Sequence, residues 1–234
     1  MIYVCTINTP LGAATAAATG DSLIGFWFVG QKYYPSSAPN NSASHTSAPN
    51  DSASRTSASH TSAPNNSATN NSSSHTSVPS DSASRTSASH NSSSHYNSSH
   101  WVQFSEHPIF CSLRIWIDDY FNGNNPSEKL TSLGHHPIAL DPQGSPFQKA
   151  IWEILLRIPY GCVTTYGTIA KQFAEAACIP SMSAQAIGAA VAHNPISLLI
   201  PCHRVIGADG SLTGYAGGVE KKKKLLDLER LRQM

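Results

Sequence analysis

Short apolar runs separated by turn-forming residues occupy the start of the chain. The runs are residues 1–9 (MIYVCTINT), 13–19 (AATAAAT) and 22–29 (SLIGFWFV), with glycine or proline between them. Runs of this length, bounded by turn signals, are typical of β-strands. We therefore expect two or three antiparallel strands within residues 1–34.

A helical periodicity appears at residues 108–121, PIFCSLRIWIDDYF. Ile109, Leu113, Trp116 and Tyr120 recur every three or four residues, so they share one face of a helix. The Asn-Gly pair that follows is typical of a helix end. The strands and this helix together predict a small N-terminal α/β domain made of residues 1–34 and 101–145.

Three further helices are indicated in the second half of the chain. The first begins with the capping-box sequence SPFQ at Ser145–Gln148 and ends before Pro159. The second is expected over residues 166–177, with Thr165 as its cap, and the third over residues 183–192. Two short helices joined by a tight break suggest a helix-turn-helix.

The third of these helices, SAQAIGAAVA, carries no charged residue and consists largely of small side chains. A helix that reads the major groove of DNA normally carries several long polar side chains. Two interpretations therefore remain open: the helix packs tightly in the core, or it presses into the narrower minor groove of a duplex.

Residues 35–100 differ from the rest because they consist mostly of Ser, Ala, Asn, Thr, His and Pro. Three fifteen-residue blocks, 46–60, 61–75 and 76–90, repeat one pattern that contains little to bury. Such a segment cannot offset the entropy lost on ordering, so we expect a low-complexity, disordered insert. Its histidines recur with the repeat and fit no compact ligand motif, and no metal site is predicted.

Charge is unevenly distributed, although the formal net charge is only +1. Residues 146–234 hold ten Lys or Arg and six Asp or Glu, whereas 1–34 with 101–145 hold three and six. This asymmetry is a weak indication that the C-terminal part meets a polyanion.

The cysteines and the hydropathy pattern bear on the compartment. Five cysteines without a CxxC pair favour a reducing environment over a disulfide framework. No stretch of eighteen apolar residues and no signal-peptide pattern is present in the sequence. We therefore expect a cytoplasmic protein.

The stretch LLIPCHRV, residues 198–205, places a thiol, an imidazole and a guanidinium after an aliphatic run. Cys202 is either a small core residue or a nucleophile that a packed scaffold holds. Since Cys202 and His203 are sequence neighbours, their side chains need not touch, and a bridging water could connect them. A Cys–His acyl-transfer site remains an open alternative at this level.

Two features downstream bear on the same question. The glycine-rich loop GYAGG at 214–218 is either a surface turn or a backbone that folds closely around a ligand. In the final helix, Glu229 shares a face with Leu225. Its carboxylate either reaches water at the rim or is buried with a partner, and a buried acid could orient a histidine.

These motifs resemble those of one family. PCHRV, GSLTGYAGG and LLDLE are similar to the active-site region of the 6-O-alkylguanine-DNA alkyltransferases, also called methylated-DNA–protein-cysteine methyltransferases. SPFQKAIWEILLRIPYGCVTTYGTIA and AIGAAVAHNP resemble the family's first C-terminal helices and its DNA-binding helix. The likeness covers residues 146–234 almost without gaps and the N-terminal part more loosely.

The resemblance implies an α+β fold. Its small N-terminal α/β domain would be ribonuclease H-like and interrupted by the disordered repeat insert, which has no counterpart in the family. A mainly helical, winged-helix-like C-terminal domain with a helix-turn-helix, residues 146–234, would bind DNA and accept the alkyl group.

The resemblance also implies catalytic roles for four residues. Cys202 would accept the alkyl group, and His203 would act as a base through a water. Glu229 would hold His203, and Asn194 would be the hinge between the DNA-binding helix and the reactive segment.

Contacts to DNA or to the extruded base are implied for a second set: Tyr166, Gln185, Ala186, Arg204, Val205, Tyr215, Ala216 and Gly217. Tyr166 would help to rotate the nucleotide outward, and four of the set, Val205 and Tyr215 to Gly217, would line the guanine pocket. Gln185 stands where family members commonly carry an arginine that fills the vacated base stack.

The implied function is DNA repair by direct reversal of damage. A methyl or other alkyl group would move irreversibly, once per molecule, from the 6-oxygen of guanine, and also the 4-oxygen of thymine, to Cys202. The base must leave the duplex stack to be reached, and no cofactor is needed because the thiol itself is consumed. The partner would be double-stranded DNA, met through its minor groove by a monomer.

Two other classes of function remain. A non-catalytic helix-turn-helix protein that binds alkylated bases would share the fold, but such relatives lack the cysteine. A sequence-specific helix-turn-helix regulator is disfavoured by the uncharged third helix.

Overall fold

The computed structural model describes residues 1–35, 101–124 and 138–231. Over these residues the protein is a mixed α+β structure with one four-stranded sheet, one two-stranded sheet and five α-helices. The repeat blocks and nearly all of the insert predicted at 35–100 lie outside the described residues, so disorder there stays a prediction. None of the described helices is both long enough and apolar enough to span a membrane.

The N-terminal strands confirm the sequence prediction. β1 (Ile2–Thr9), β2 (Gly12–Thr19) and β3 (Ser22–Phe28) pair antiparallel, each with the next along the chain. Gly12 and Gly20 take φ angles of 108° and 52° in the two connecting turns. Glycine adopts such angles without strain, which is why both turns can be tight.

A further strand, β4 (Trp101–Gln103), pairs in parallel with β1 and completes the order β3-β2-β1-β4. The sequence pattern does not predict β4, because three residues carry too little periodicity to indicate a strand. β3 and β4 are therefore the two edges of the sheet.

The helix predicted at 108–121 is confirmed as α1 (Pro108–Asn122). Its buried side chains are Phe110, Leu113, Trp116, Ile117 and Tyr120. Gly123 ends it with a φ of 82° and donates its N–H back to the last turn. The packed stripe carries Tyr120 into the interior of the molecule.

The three helices predicted in the second half are also confirmed. They are α2 (Pro146–Leu156), α3 (Tyr166–Ala176) and α4 (Ala184–Ala192), and each is capped at its N terminus by the side chain of the preceding Ser or Thr. The capping box at the start of α2 is formed. A last helix, α5 (Val219–Leu231), closes the described chain.

Backbone hydrogen bonds attach the reactive segment to the edge strand β3. Phe26 donates its N–H to the carbonyl of Pro195 at 2.8 Å, and Ser197 donates to the carbonyl of Phe26 at 2.8 Å. The segment after α4 is therefore joined to β3 by one isolated parallel bridge between Phe26 and Ile196. This attachment explains why N-terminal and C-terminal residues share one buried apolar cluster.

The chain next forms a 3-10 turn at Cys202–Arg204 and then a short strand, β6 (Val205–Ile206). β6 pairs in parallel with β5 (Thr164–Thr165), which precedes α3. The turn that carries the thiol is thus fixed on both sides by sheet pairing.

Candidate active site

Asn194 ties the reactive segment to the thiol. Its Oδ1 accepts the N–H of Ile196 at 3.0 Å, and its Nδ2 donates to the carbonyl of Ile200 at 2.9 Å and lies 3.1 Å from Cys202 Sγ. Leu198, midway along, has a φ of 73°, a conformation that residues other than glycine seldom adopt. One buried amide therefore holds a strained loop closed and orients the sulfur at its end.

The thiol of Cys202 is buried, with 4% of the residue exposed. Burial raises its pKa to about 11, although the Asn194 hydrogen bond and the charge of Lys222 act in the opposite direction. The sulfur is therefore protonated near neutral pH, and its use as a nucleophile requires a base.

Glu229 is a fully buried carboxylate on α5. It accepts hydrogen bonds from Tyr120 Oη at 2.6 Å, His203 Nε2 at 2.9 Å, the Gly161 N–H at 3.0 Å, and Nε and Nη2 of Arg204 at 2.9 Å each. Burial acts to raise the pKa of Glu229, but the bonds and charges of His203 and Arg204 outweigh it, and the pKa lies well below its ordinary value. The group is therefore an anion, matched by its neighbours.

The Glu229 anion decides which nitrogen of His203 carries the proton. An ionised carboxylate only accepts, so the proton of the neutral ring must sit on Nε2 and the lone pair on Nδ1. Nδ1 is buried and has no hydrogen-bond partner among the described residues. Burial lowers the pKa of His203, and Glu229 opposes that shift. Near neutral pH the ring is therefore a neutral base with a free acceptor, beside a protonated thiol.

Arg204 corrects one expectation from the sequence. The resemblance places it among the DNA- or base-binding residues, but its guanidinium is turned inward and the residue is 2% exposed. It forms a bidentate pair with Glu229, and Nη1 donates to the carbonyl of Ile158 at 2.6 Å. In this position the guanidinium cannot reach a phosphate or a base edge. It neutralises the charge of the buried carboxylate instead.

The residues expected to line a base pocket lie beside the catalytic turn. Val205 and Tyr215 are buried, and Ala216 and Gly217 are half-buried. The ring centroids of His203 and Tyr215 are 6.4 Å apart. The glycine-rich loop therefore lies beside His203, the sequence neighbour of Cys202.

Two side chains hold this loop through one carbonyl. Thr213 O accepts Tyr166 Oη at 2.9 Å and Lys222 Nζ at 2.7 Å. A Cβ at Gly214 would lie 2.5 Å from Tyr166 Oη, so the close approach requires glycine there. The hydrogen bond and this close approach place Tyr166, at the start of α3, against the loop. Burial lowers the pKa of Lys222 to about 8.

The N-terminal strands contribute two contacts to the same region. Lys32 donates its backbone N–H to the carbonyl of Ala216 at 2.9 Å. Gln31 is buried, and its Oε1 accepts the Ser197 hydroxyl at 3.1 Å and the Phe28 N–H at 2.9 Å. The residues just after β3 therefore touch both the pocket loop and the segment that leads to the thiol.

The two remaining predicted DNA-binding residues lie near the start of α4, where Gln185 is exposed and Ala186 half-buried. α3 and α4 pack on one another, and a Cβ at Gly188 would lie in ordinary contact, 3.8 Å, with the Tyr166 ring. Tyr166 and α4 thus border one surface. Among the described residues, no group of three or more His, Cys, Asp or Glu side chains could hold a metal ion.

Sequence reasoning missed Tyr120, Gln31, Ser197 and Lys222 as members of this site. Lys222 stands three residues before Leu225 and seven before Glu229, so a lysine on the apolar face of the last helix was a usable signal. Tyr120 was recognised only as part of an apolar stripe, although a phenol there needs a polar partner. No sequence pattern pointed to Gln31 or Ser197.

Comparison with known proteins finds relatives of this chain. Residues 146–231 match the family model described as 6-O-methylguanine DNA methyltransferase, DNA binding domain. The methylated-DNA–protein-cysteine methyltransferase of Haemophilus influenzae is 40% identical over 131 residues, which are 56% of this chain and 66% of the relative. The protein of that name from Methanosarcina acetivorans is 42% identical over 129 residues, 55% of this chain and 73% of the relative.

The matched length is limited in some of these relatives. The alignment spans less than two thirds of the Haemophilus protein and 58% of a Mycobacterium tuberculosis relative of the same name. Among solved structures, Mycobacterium tuberculosis OGT in complex with DNA is similar with a TM-score of 0.58 and 28% identity, covering 98% of this chain and 94% of that one.

Proposed function

The chain belongs to the methylated-DNA–protein-cysteine methyltransferase family, and from this premise we propose that it repairs DNA by taking an alkyl group from the 6-oxygen of guanine onto Cys202. The observation that best supports this proposal is a buried, protonated thiol beside a neutral histidine. Nδ1 of this histidine has no hydrogen-bond partner among the described residues, and its Nε2 is bound to the buried Glu229 anion. This arrangement activates one sulfur and needs no added group.

The reaction proceeds by displacement at the alkyl carbon. The thiol proton passes to His203 Nδ1, directly or through one water, and a bond forms between Sγ and the carbon as the bond from that carbon to guanine O6 breaks. The proton then passes from His203 to the guanine, which is restored as the normal base and stays in the DNA strand. The resulting thioether has no leaving group that another described residue could displace, so each molecule acts once.

Three other residues support this step by holding groups in place. Asn194 keeps the sulfur in line through its 3.1 Å contact. Glu229 holds His203 in the tautomer that leaves Nδ1 free, and the ion pair with Arg204 keeps the carboxylate charged in the interior. The acyl-transfer alternative is less well supported, because the family relationship points to alkyl transfer.

The target oxygen lies inside a duplex, so we propose that the base is extruded into the loop formed around Tyr215 to Gly217. Tyr166 borders both this loop and α4, and is placed to assist rotation of the nucleotide. Gln185 would fill the vacated stack. The similar protein solved in complex with DNA supports DNA as the partner.

Finer assignments complete the proposal. The uncharged, small-residue surface of α4 favours the minor groove, and α3 with α4 would be the helix-turn-helix of a winged-helix-like domain. The sheet with α1 would be ribonuclease H-like. We propose action as a monomer, on thymine lesions as well as guanine, in a cytoplasm whose reducing conditions suit the five free cysteines.

The test is transfer of a labelled methyl group from 6-O-methylguanine in duplex DNA. Wild-type protein should acquire one label per molecule, and Cys202→Ser should acquire none while its DNA affinity is retained, because a hydroxyl is a much poorer nucleophile than a thiol. Cys162→Ser, at an exposed cysteine, is the matched control and should react at the wild-type rate. Binding of methylated duplex without label transfer by the wild type would instead identify a non-catalytic lesion-binding protein.

A further inference from the structure

Tyr120 on α1 reaches the catalytic carboxylate from outside the segment that matches the family model, residues 146–231. Its hydroxyl donates to Glu229 Oε1 at 2.6 Å, the shortest hydrogen bond to that carboxylate, and lies 3.4 Å from His203 Nε2. Tyr120 is fully buried. A hydroxyl between the acid and the base is placed to affect both.

The ring and the hydroxyl of Tyr120 have separable surroundings. The ring stacks on Trp116 with centroids 5.4 Å apart, and it meets Phe121 and Tyr160 edge-on at 5.3 and 5.7 Å. These contacts belong to the core and need no hydroxyl. The hydroxyl is directed at Glu229 alone among carboxylates of the described residues.

We propose that Tyr120 is a positioning residue for alkyl transfer: its hydroxyl fixes the Glu229 carboxylate and thereby the orientation and basicity of His203. This inference rests on the proposed function. Through it, α1 of the N-terminal part becomes a component of the catalytic machinery of the C-terminal part.

The direction of the effect follows from the charges. Burial and the nearby Glu229 raise the pKa of Tyr120 well above its ordinary value, so the phenol stays a donor at every working pH. Its donated bond disperses part of the carboxylate charge. Without it, Glu229 attracts the imidazolium more strongly, so the pKa of His203 rises and the ring is protonated, and thus inactive as a base, at a higher pH.

The experiment compares Tyr120→Phe with the wild type. Single-turnover transfer near neutral pH should slow roughly tenfold, because His203 loses the orientation that the fixed carboxylate gives it and with it a part of what a general base supplies. The acid limb of the pH–rate profile should move to higher pH. The control is Tyr34→Phe, which removes a 2.7 Å hydroxyl hydrogen bond to Thr15 on the opposite face of the sheet. This variant should leave the transfer rate and the acid limb of the profile unchanged.

A double-mutant cycle separates positioning from a general loss of packing. If the hydroxyl acts through the carboxylate, Tyr120→Phe should have little further effect on the rate in a Glu229→Gln background. Additive losses in the two backgrounds would overturn the proposal, as would a Tyr120→Phe profile identical to that of the wild type.

An NMR titration of the His203 ring tests the same coupling without any transfer. The pKa of His203 should be higher in Tyr120→Phe than in the wild type. An unchanged value refutes the proposal about Tyr120, whereas failure of the wild type to take up label refutes the proposed function. If Tyr120→Phe does not fold, 3-fluorotyrosine at position 120 keeps the shape and is a stronger donor, so it should shift the acid limb to lower pH. No shift there would equally refute the proposal.

Discussion

At the scale of single residues, the reacting pair begins neutral. Burial holds the thiol of Cys202 protonated, with a pKa of about 11, and also lowers the pKa of His203 below its ordinary 6.5. At a pH between these two pKa values, moving a proton from the sulfur to the imidazole leaves the number of protons on the protein unchanged. The reactive thiolate–imidazolium form is then a constant fraction of the protein.

The transfer rate should therefore be nearly independent of pH from about 7 up to the highest pH at which the protein is stable. It should fall only at a pH below 6.5, because burial lowers the pKa of His203 from that ordinary value, and there the imidazole takes its proton from water instead of from the thiol. Single-turnover rates between pH 5 and 9.5 measure this profile.

His203→Gln provides the comparison for that profile. Without the base, thiolate forms only by loss of a proton to solvent, so the rate should rise about tenfold per pH unit toward the pKa of Cys202. A flat profile in His203→Gln would show that His203 is not the proton acceptor.

Glu229 also contributes to stability, because it is the counter-ion of a buried guanidinium. Glu229→Gln should lower the free energy of unfolding at pH 7 by about 3–5 kcal/mol, since Arg204 is left charged and unpaired in the interior. Urea unfolding measures the loss. Asp227→Asn, on an exposed position of the same helix, should change stability by less than about 0.5 kcal/mol.

The pH dependence of that difference has a defined sign. The pKa of Glu229 is lowered in the folded protein, so its contribution is complete above the ordinary value of 4.5 and is lost as pH falls further. The wild type and Glu229→Gln should therefore converge in stability below pH 4.5. A difference that stays constant down to pH 3 would contradict the assignment of Glu229 as a paired anion.

At the scale of elements, α4 presents a surface that differs from an ordinary recognition helix. Ile187, Ala190 and Val191 face the core, and Gln185 is exposed near the N terminus of the helix. One face of α4 packs inward, as one of the two interpretations from the sequence expects, and contact of the other face with the minor groove stays a proposal.

Gln185 should matter only when a duplex is present. Gln185→Ala should slow transfer from duplex DNA far more than from free 6-O-methylguanine, because unstacking a base costs a few kcal/mol and a side chain in the gap recovers part of that. Single-turnover rates on both substrates measure the difference.

Gln185→Arg is the companion variant. It should preserve or increase the rate on duplex and make binding more sensitive to salt, because it adds a cation near the phosphates. Equal losses on both substrates in Gln185→Ala would indicate a folding or pocket defect, and no loss on either would remove Gln185 from the mechanism.

At the scale of the whole molecule, residues before the insert and residues after it build one structure. Tyr34 and Trp101, which flank the insert, both pack against the same small apolar cluster on the outer face of the sheet. Just before the insert, Gln31 contacts Ser197 and Lys32 contacts Ala216. The repeats themselves contain almost no apolar side chains.

Replacing residues 35–100 by a short Gly/Ser bridge should therefore leave both folding and transfer intact. Because Tyr34 and Trp101 pack against the same apolar cluster, a short bridge suffices to join them. Melting temperature and single-turnover rate measure the outcome, with a scrambled insert of the same length as the control. A large fall in either quantity in the deletion alone would show that the tract is structural.

Local pattern alone determined much of the fold. The three N-terminal strands, α1 and the capped helices α2 to α4 follow from apolar spacing and from residues such as Ser145 and Gly123, because each signal acts within a few positions of the chain. The stretch 198–205 stood out as a candidate site because its thiol and imidazole are adjacent in sequence, although its residues alone left Cys202 as either a core residue or a nucleophile.

Only the tertiary structure decided how the site is assembled. Tyr120 and Glu229 are 109 positions apart, and Gln31 and Ser197 are 166 apart. It also turned Arg204 inward, although the family resemblance implied contact with DNA or the base. A polar side chain in the interior takes the partner that packing brings within about 3 Å, because leaving it unpaired costs more than any local preference. Sequence spacing sets which face of an element a side chain occupies, and the packing of distant elements sets which group it meets there.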